Sequence, residues 1–583
     1  MTVDFKPAAA LAVLAALCLT LGTASAAWAQ SATASQVTQP SYAPPVIRSV
    51  EGGLELPETI GLDVPEGAEK LEVTPSGLSV SGGRPELAAE TAAIADRLTN
   101  RRVTGKDLFT AARDLEVAYA RAGYILVRVS LPPQTIKDGM PLMLTVVDGY
   151  VESIDTSNLP EGVRGRVESV LGGLVGRPSL MRADLERAML LAGDTPGALL
   201  RSTLQAGSKP GTTILVVDGR YDPVTFSLSA DNSLGSDLGT WTVTPGIDLN
   251  NILGMGEVGY LRLSGYPGFG RSVLDSDPRN RQLVAGATVP VGTDGLWVNL
   301  EGVDSRTHPT SDLPYSMLDH FQRLSVKGGY SWIRSRDMNT STTLALDVTQ
   351  EEQRIDLKGV RSDFSRDDLR VLRLSQTADL FTASGGLVSG SITASVGMDA
   401  LGARQATTAL PLSRDGAKPD FTKLEVSARF SQSVADDRVQ FTLTAKAQTS
   451  FGSVLTSSEQ MGLGGFDWLS AFESAAVQGD KGAVMRGELS VPLFFQPSAD
   501  DNSLGGAVAP YAFAGVGIAE AERPTGVEAA VTRAAAFGVG ARIGLSEKGS
   551  PHSATLALEY AHGDASGGRK AEDRVNARLL LRF

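Results

Sequence analysis

Four histidines, His308, His320, His552 and His562, and one cysteine, Cys18, are the residues with the widest chemical range. They are scattered, and no thiol stands near a histidine. That excludes a Cys/His zinc constellation and a thiol nucleophile. No G-x-x-x-x-G-K-[ST] loop and no G-x-S-x-G elbow occurs, so neither NTP hydrolysis nor serine acyl transfer is indicated. Gly254-Met255-Gly256-Glu257-Val258-Gly259 fits G-x-G-x-x-G. A dinucleotide site needs a helix after that motif, whereas strand patterns flank it on both sides, so it reads as a turn. Asp363, Asp367 and Asp368 cluster with Arg361, Arg366 and Arg370, and read as a solvated loop or strand end rather than a calcium site. The chain therefore presents no catalytic, cofactor-binding or metal-binding residues, and an enzyme is the least supported class.

The chain has 583 residues and a net charge of 53 − 66 = −13, with 63 glycines and 6% aromatics. The acidic balance argues against a nucleic-acid partner. The abundance of glycine favours strands and turns. Residues 1–29 read as a secretory signal peptide: Lys6, the apolar run Ala8–Leu21, and the A-x-A site Ala27-Trp28-Ala29. Leu17 before Cys18 excludes a lipoprotein signal. Residues 30–68, with Ser41-Tyr42-Ala43-Pro44-Pro45, are a Pro/Ser-rich leader or linker that can carry one short ordered piece.

Two compact α/β units follow. In 69–150, Leu71–Val73 and Leu78–Val80 are strands and Glu86–Leu98 is a helix. Thr104 and Asp107 open a second helix, with Leu108, Ala111, Ala112, Leu115, Tyr119 and Ala122 on one face and Gly123 as its stop. Strands are expected at Tyr124–Leu131 and Leu142–Val147. Residues 151–222 repeat the plan, and Val146-Val147-Asp148-Gly149 recurs as Val216-Val217-Asp218-Gly219.

From 223 onward helical periodicity gives way to period two. Sixteen candidate strands span 223–583, an even number that suits a transmembrane barrel. In the last one Phe583, Leu581, Leu579, Ala577 and Val575 alternate with Arg582, Arg578 and Asn576. A barrel is required in lipid, which cannot satisfy an open sheet edge.

Two α/β repeats before such a barrel resemble the two-partner-secretion transporters, the outer-membrane haemolysin/haemagglutinin secretion-activation proteins. The likeness extends from about residue 69 to 583. Tyr119-Ala120-Arg121-Ala122-Gly123-Tyr124-Ile125 with Leu131-Pro132-Pro133-Gln134 matches the first POTRA pattern, and Asp231-Asn232-Ser233 with Leu249–Glu257 matches the start of the barrel. The resemblance implies POTRA domains at 69–150 and 151–222, and a monomeric sixteen-stranded barrel over 223–583 in the outer membrane. It also implies Phe583 as the signal read by the barrel-assembly machinery, and a pore loop at 450–483. That loop carries Leu463-Gly464-Gly465 and Gly479-Asp480-Lys481-Gly482 as the family does. Between them the family's V-R-G-[YF] tetrad is replaced by Leu469-Ser470-Ala471-Phe472, so Ser470 stands at the arginine position. The family's F-x-D partner on strand thirteen reads Phe513-Ala514-Gly515, with Gly515 at the aspartate position. Loss of both charges together avoids leaving one uncompensated in the lumen. Apolar packing of Trp468, Leu469 and Phe472 is expected to hold the loop instead.

The leading expectation is a translocation pore for an unfolded exported protein, received in the periplasm by POTRA strand edges. No NTPase motif drives it, and no covalent chemistry is needed. An assembly factor for other membrane proteins is the alternative. A diffusion porin would have no use for the α/β repeats.

Overall fold

The computed structural model describes residues 32–44, 64–209, 211–310, 315–357, 359–496, 504–526, 528–547, 550, 552–567 and 569–583, together with the short strand Leu54–Glu55. The signal peptide and much of the leader lie outside these residues.

The first α/β unit has a three-stranded sheet: Gly77–Ser81 runs parallel to Pro141–Val147, which pairs antiparallel with Arg128–Ser130. Against it pack α1 (Ala88–Leu98) and α2 (Gly105–Arg121). Helix α2 starts where its cap dictates. The Asp107 amide donates to the Thr104 hydroxyl, and the Thr104 amide donates to the Asp107 carboxylate. Its apolar face meets the sheet in one core containing Leu108, Ala112, Leu115, Tyr119, Val129, Leu142 and Leu144. The strand expected from Tyr124 begins only at Arg128. The amides of Tyr124 and Val127 donate to Tyr119 and Tyr124, which keeps the helix exit in turns until the chain clears α2.

The second unit repeats the order: Tyr150–Asp155, α3 (Glu161–Leu171), α4 (Arg182–Gly193), Ala198–Ala206 and Thr212–Tyr221. Both glycines of the repeated tetrapeptide sit where backbones nearly touch. A Cβ on Gly149 would lie 1.9 Å from the Leu126 carbonyl, and one on Gly219 would lie 2.3 Å from that of Leu199. Leu54–Glu55 adds a parallel strand to the Ala198–Ala206 edge of this sheet.

The last strand of the second unit leads through Asp222 into a closed antiparallel barrel. Its sixteen strands are β1 (Val224–Asp231), β2 (Thr242–Asn250), β3 (Val258–Gly265), β4 (Asn280–Val291), β5 (Leu296–Thr307), β6 (Tyr315–Arg334), β7 (Met338–Leu357) and β8 (Val360–Phe381). They continue as β9 (Leu387–Gly397), β10 (Thr422–Val434), β11 (Val439–Thr449), β12 (Lys481–Ser490, resuming at Leu493–Phe495), β13 (Leu504–Glu520), β14 (Val531–Glu547), β15 (Ser553–Ala565) and β16 (Glu572–Arg582). The break in β12 falls at Val491-Pro492, where proline has no amide to donate. Gly254 and Gly256 adopt positive φ in the β2–β3 turn, so the G-x-G-x-x-G segment is a hairpin connection.

Closure joins β1 to β16 over Ser227–Asp231 and Arg578–Arg582, and the Phe226 and Phe583 backbones exchange two further hydrogen bonds. Leu228, Ala230, Leu556, Leu579 and Leu581 pack together over this seam. Around the rest of the barrel Leu300, Leu324, Val326, Leu344, Leu374, Phe537 and Val539 are exposed. A ring of exposed apolar side chains over a polar lumen is the pattern of a barrel wetted by lipid outside. No helix among the described residues is long and apolar enough to cross a membrane.

The acidic cluster is the start of a strand rather than a loop, with Asp363 and Arg361 exposed. Strand β8 runs through it, turning Asp367 inward, 2% exposed, while Arg366 pairs with Asp368 on the strand. The second α/β unit is clamped to the strand turns at one end of the barrel. Arg334 forks onto Asp194 at 2.7 and 3.0 Å, Arg187 donates to the carbonyls of Asp294 and Ser331, and Arg166 to that of Gly292.

Candidate functional site

The connection between β11 and β12 does not project outward. Residues 463–477 fold back into the lumen against β12 to β16. Two glycines allow the fold. Gly465 has φ 98°, and a Cβ on Gly464 would lie 2.0 Å from the Glu473 carbonyl. A two-residue ladder, Met461–Gly462 with Gln478–Gly479, closes the loop at its neck.

The tip fits into holes in the wall. Leu469 and Phe472 are buried with Leu463, Ala471, Val477, Phe513, Ala534, Ala536 and Ala561. Three wall glycines make the room. A Cβ on Gly515 would lie 3.0 Å from the Leu469 side chain, one on Gly517 3.0 Å from Leu463, and one on Gly563 2.6 Å from the Ala471 Cβ. Trp468 is only partly buried, and the Lys446 ammonium stands 4.9 Å from its ring centroid.

A charge does reach the loop, from the wall. Arg486 on β12, directly opposite Gly515 in the ladder, pairs with Glu559 on β15 at 2.5 Å. Its other terminal nitrogen points at the loop, 3.2 Å from the Phe466 carbonyl, 3.3 Å from that of Trp468 and 3.2 Å from the Ser470 hydroxyl. The guanidinium stacks 3.6 Å over the Phe513 ring, and the Tyr511 hydroxyl donates to Glu559 at 2.8 Å. From β16, Asn576 donates to the Ser470 carbonyl at 2.8 Å and Arg578 pairs with Asp467.

The loop's two roots are held by buried charge. Asp480 is fully buried and accepts from Arg414 in the β9–β10 connection, from the Leu455 amide at 2.9 Å and from the Glu522 amide at 2.7 Å. Glu459 sits between Arg373 and Lys423 at 2.6 and 2.9 Å. Burial alone would raise its carboxyl, but those two cations bring it down to about 2.

Residues 32–44 lie in the same lumen, on β3 to β7. Ala34 is fully buried, with its carbonyl taken by Ser305, and the Ser35 amide donates to Glu351 at 3.1 Å. The Tyr42 amide donates to Glu301 at 2.9 Å and its hydroxyl to Gln282 at 2.5 Å. Burial pushes the Tyr42 phenol up to about 12, so it remains a donor. Glu301 is in turn held by Arg323 and the Tyr260 hydroxyl. This segment is a series of turns and touches the loop where Gln36 donates to Gln478 at 2.7 Å.

The residues singled out by sequence thus separate into groups. Gly464, Gly465, Leu469, Ser470, Ala471 and Phe472 meet Phe513 and Gly515 at the tip, Gly479 and Asp480 stand at the root, and Phe583 is remote at the seam. Sequence reasoning missed Arg486 and Glu559. Period two in Val484-Met485-Arg486-Gly487-Glu488 puts Arg486 inside, but lumen charges are ordinary in barrels and nothing local marks this one.

Comparison with known proteins follows the same outline. The family description "Haemolysin secretion/activation protein ShlB/FhaC/HecB" matches residues 211–543, and "POTRA domain, ShlB-type" matches 74–149. The outer membrane transporter CdiB of Escherichia coli O6:K15:H31 is 26% identical over 456 residues, covering 74% of this chain and 71% of its own length. The hemolysin transporter protein HpmB of Proteus mirabilis is 21% identical over 411 residues, 68% of each chain. The solved structure of CdiB from Escherichia coli covers 90% of this chain and 93% of its own, with TM-score 0.66 and 23% identity; CdiB from Acinetobacter baumannii gives 0.58 and 16%, over 92% and 95%. With that match laid over a closed sixteen-stranded barrel and a POTRA domain, the chain belongs to the haemolysin secretion/activation family, the two-partner-secretion transporters of the outer membrane.

Proposed function

We propose that the lumen of this barrel is the route by which a secreted partner protein crosses in extended form, and that the pore loop and residues 32–44 together occupy that route at rest. The observation that carries the reading is that both segments lie inside the barrel on different walls, so passage requires at least one to leave. The α/β units receive the partner. Residues 151–222, which repeat the POTRA element order, offer the Ala198–Ala206 edge that Leu54–Glu55 already uses, the geometry of strand addition. The transporter acts as a monomer in outer-membrane lipid and performs no covalent chemistry. Phe583 is the assembly signal, and its deletion is expected to lower the yield of heat-modifiable barrel while leaving export to the periplasm intact.

A photo-crosslinking amino acid at the lumen-facing positions 282 and 305 tests the route. With a secreted partner protein co-expressed, adducts to that partner are expected at both positions. Adducts confined to the transporter's own leader while the partner still reaches the surface would refute it. The assembly-factor reading draws support from the seam, which pairs five residues where β15 and β16 pair eleven. Crosslinks from β1 and β16 to nascent barrel proteins would favour it.

A further inference from the structure

The way Arg486 reaches the loop has a consequence for how the loop can leave. Its charge partners, Glu559 at 2.5 Å and Glu488 at 3.6 Å, are both on the wall, and Glu559 has a second wall donor in Tyr511. On the loop side every acceptor is neutral: the carbonyls of Phe466 and Trp468 and the hydroxyl of Ser470. Departure of the loop would break those hydrogen bonds and leave Arg486 and Glu559 still paired, with Phe513 still beneath the guanidinium. A lock with its arginine on the loop would instead have to pull opposite charges apart in a partly dehydrated lumen, the costly step for a buried pair. Gly515, opposite Arg486, leaves the wall open for Leu469 and carries no group that could compete for the guanidinium.

We infer that Arg486 is the positioning residue of the pore loop, a cation fixed to the wall that holds the loop through neutral acceptors, so that its hold is released without parting it from Glu559; the pairs that departure does part, Arg578–Asp467 and Arg574–Glu473, lie towards solvent. The inference deepens the proposed route, since it concerns the segment that must move. Its test uses no secreted partner, so it stands or fails apart from the crosslinking.

Val477 is 2% exposed within the loop, and Val477→Cys is a reporter close in size in a chain whose other cysteine, Cys18, lies in the N-terminal apolar run. Maleimide labelling of heat-modifiable, full-length protein in detergent then reads loop departure. Arg486→Lys keeps a charge for Glu559 but cannot span the three loop acceptors, and labelling is expected to rise about tenfold, the equivalent of one hydrogen bond to a charged group. Ser470→Arg sets two guanidinium groups side by side and is expected to raise it at least as much. The exchange Ser470→Arg with Arg486→Ser places the arginine on the loop, within reach of Glu559, and is expected to label no faster than the parent. The exchanged pair separates an arginine acting through Glu559 from one that merely fills space. Labelling at the parental rate in Arg486→Lys, or an exchange variant as fast as Ser470→Arg alone, overturns the inference. If Ser470→Arg does not yield a folded barrel, Arg486→Lys and the exchange variant decide between them.

Discussion

Two walls of one lumen hold two segments of the same chain by different means. The wall that carries residues 32–44 is polar: Gln282, Glu301, Ser305, Lys327 and Glu351 bind mainly its backbone groups and hydroxyls, and Arg323 holds Glu301 from behind. The wall that carries the pore loop is made of small residues, with Gly515, Gly517, Ala534, Ala536, Ala561 and Gly563 receiving Leu463, Leu469, Ala471 and Phe472, and it has the Arg486–Glu559 pair at its centre. Each of these hydrogen bonds nets about 1 kcal/mol, or about 1.5–3 where one partner is charged, and can be exchanged singly for water; burying an aromatic or leucine side chain is worth about 1.5–3 kcal/mol, and packed side chains leave only together. Apart from Tyr42 and Ala43, which pack against Tyr260, Val284 and Val303, the leader is held by contacts that water can replace one at a time. The loop tip is held by packing that must be given up together. Of the two occupants, the leader is built for exchange and the loop for residence.

That contrast can be broken first at the loop. Phe472→Ala empties a packed site, and is expected to destabilise the docked loop by about 3–5 kcal/mol. Protease cutting between residues 463 and 477 in the folded barrel would show it, with residues 32–44 still protected. On the other wall, Glu301→Gln weakens the anchor shared by Tyr42, Arg323 and Lys327. A loss of about 1.5–3 kcal/mol is expected, read as faster hydrogen exchange of the Tyr42 amide without loosening of the loop. Release of both segments by either substitution would show that the Gln36–Gln478 contact couples the walls, and the comparison would fail.

Smaller changes sharpen it. Gly563→Ala puts a methyl 2.6 Å from the Ala471 Cβ, so loop or strand must shift. Overpacking of this kind costs about 1–3 kcal/mol, and is expected as a lower midpoint in heat-modifiability, whereas Gly544→Ala, where nothing lies within 4 Å, leaves the midpoint unchanged. A comparatively small effect is expected for Tyr42→Phe, which removes the bond to Gln282 and the one that its hydroxyl accepts from the Gln39 amide, at about 0.5–1.5 kcal/mol each. Hydrogen exchange around residue 42 should quicken modestly, with no change around residue 472.

Much of the architecture was determined by local sequence. The capping pair Thr104/Asp107 set the start of α2, and period two set the sixteen barrel strands, because both depend on residues a few positions apart. The G-x-G-x-x-G turn followed from the strands beside it. The partners in the lumen were decided only by closure of the barrel. Arg486 and Glu559 are 73 positions apart, and Glu301 meets Tyr42 across 259. Asp367 looks solvated among its charged neighbours in sequence, yet β8 turns it inward beneath Ser413 of the β9–β10 connection. The absence of the loop arginine and of the wall aspartate could be read from Ser470 and Gly515 alone. That another arginine stands directly across from that glycine could not, because the side chains facing one another in a lumen are set by strand register and shear, which no single strand encodes.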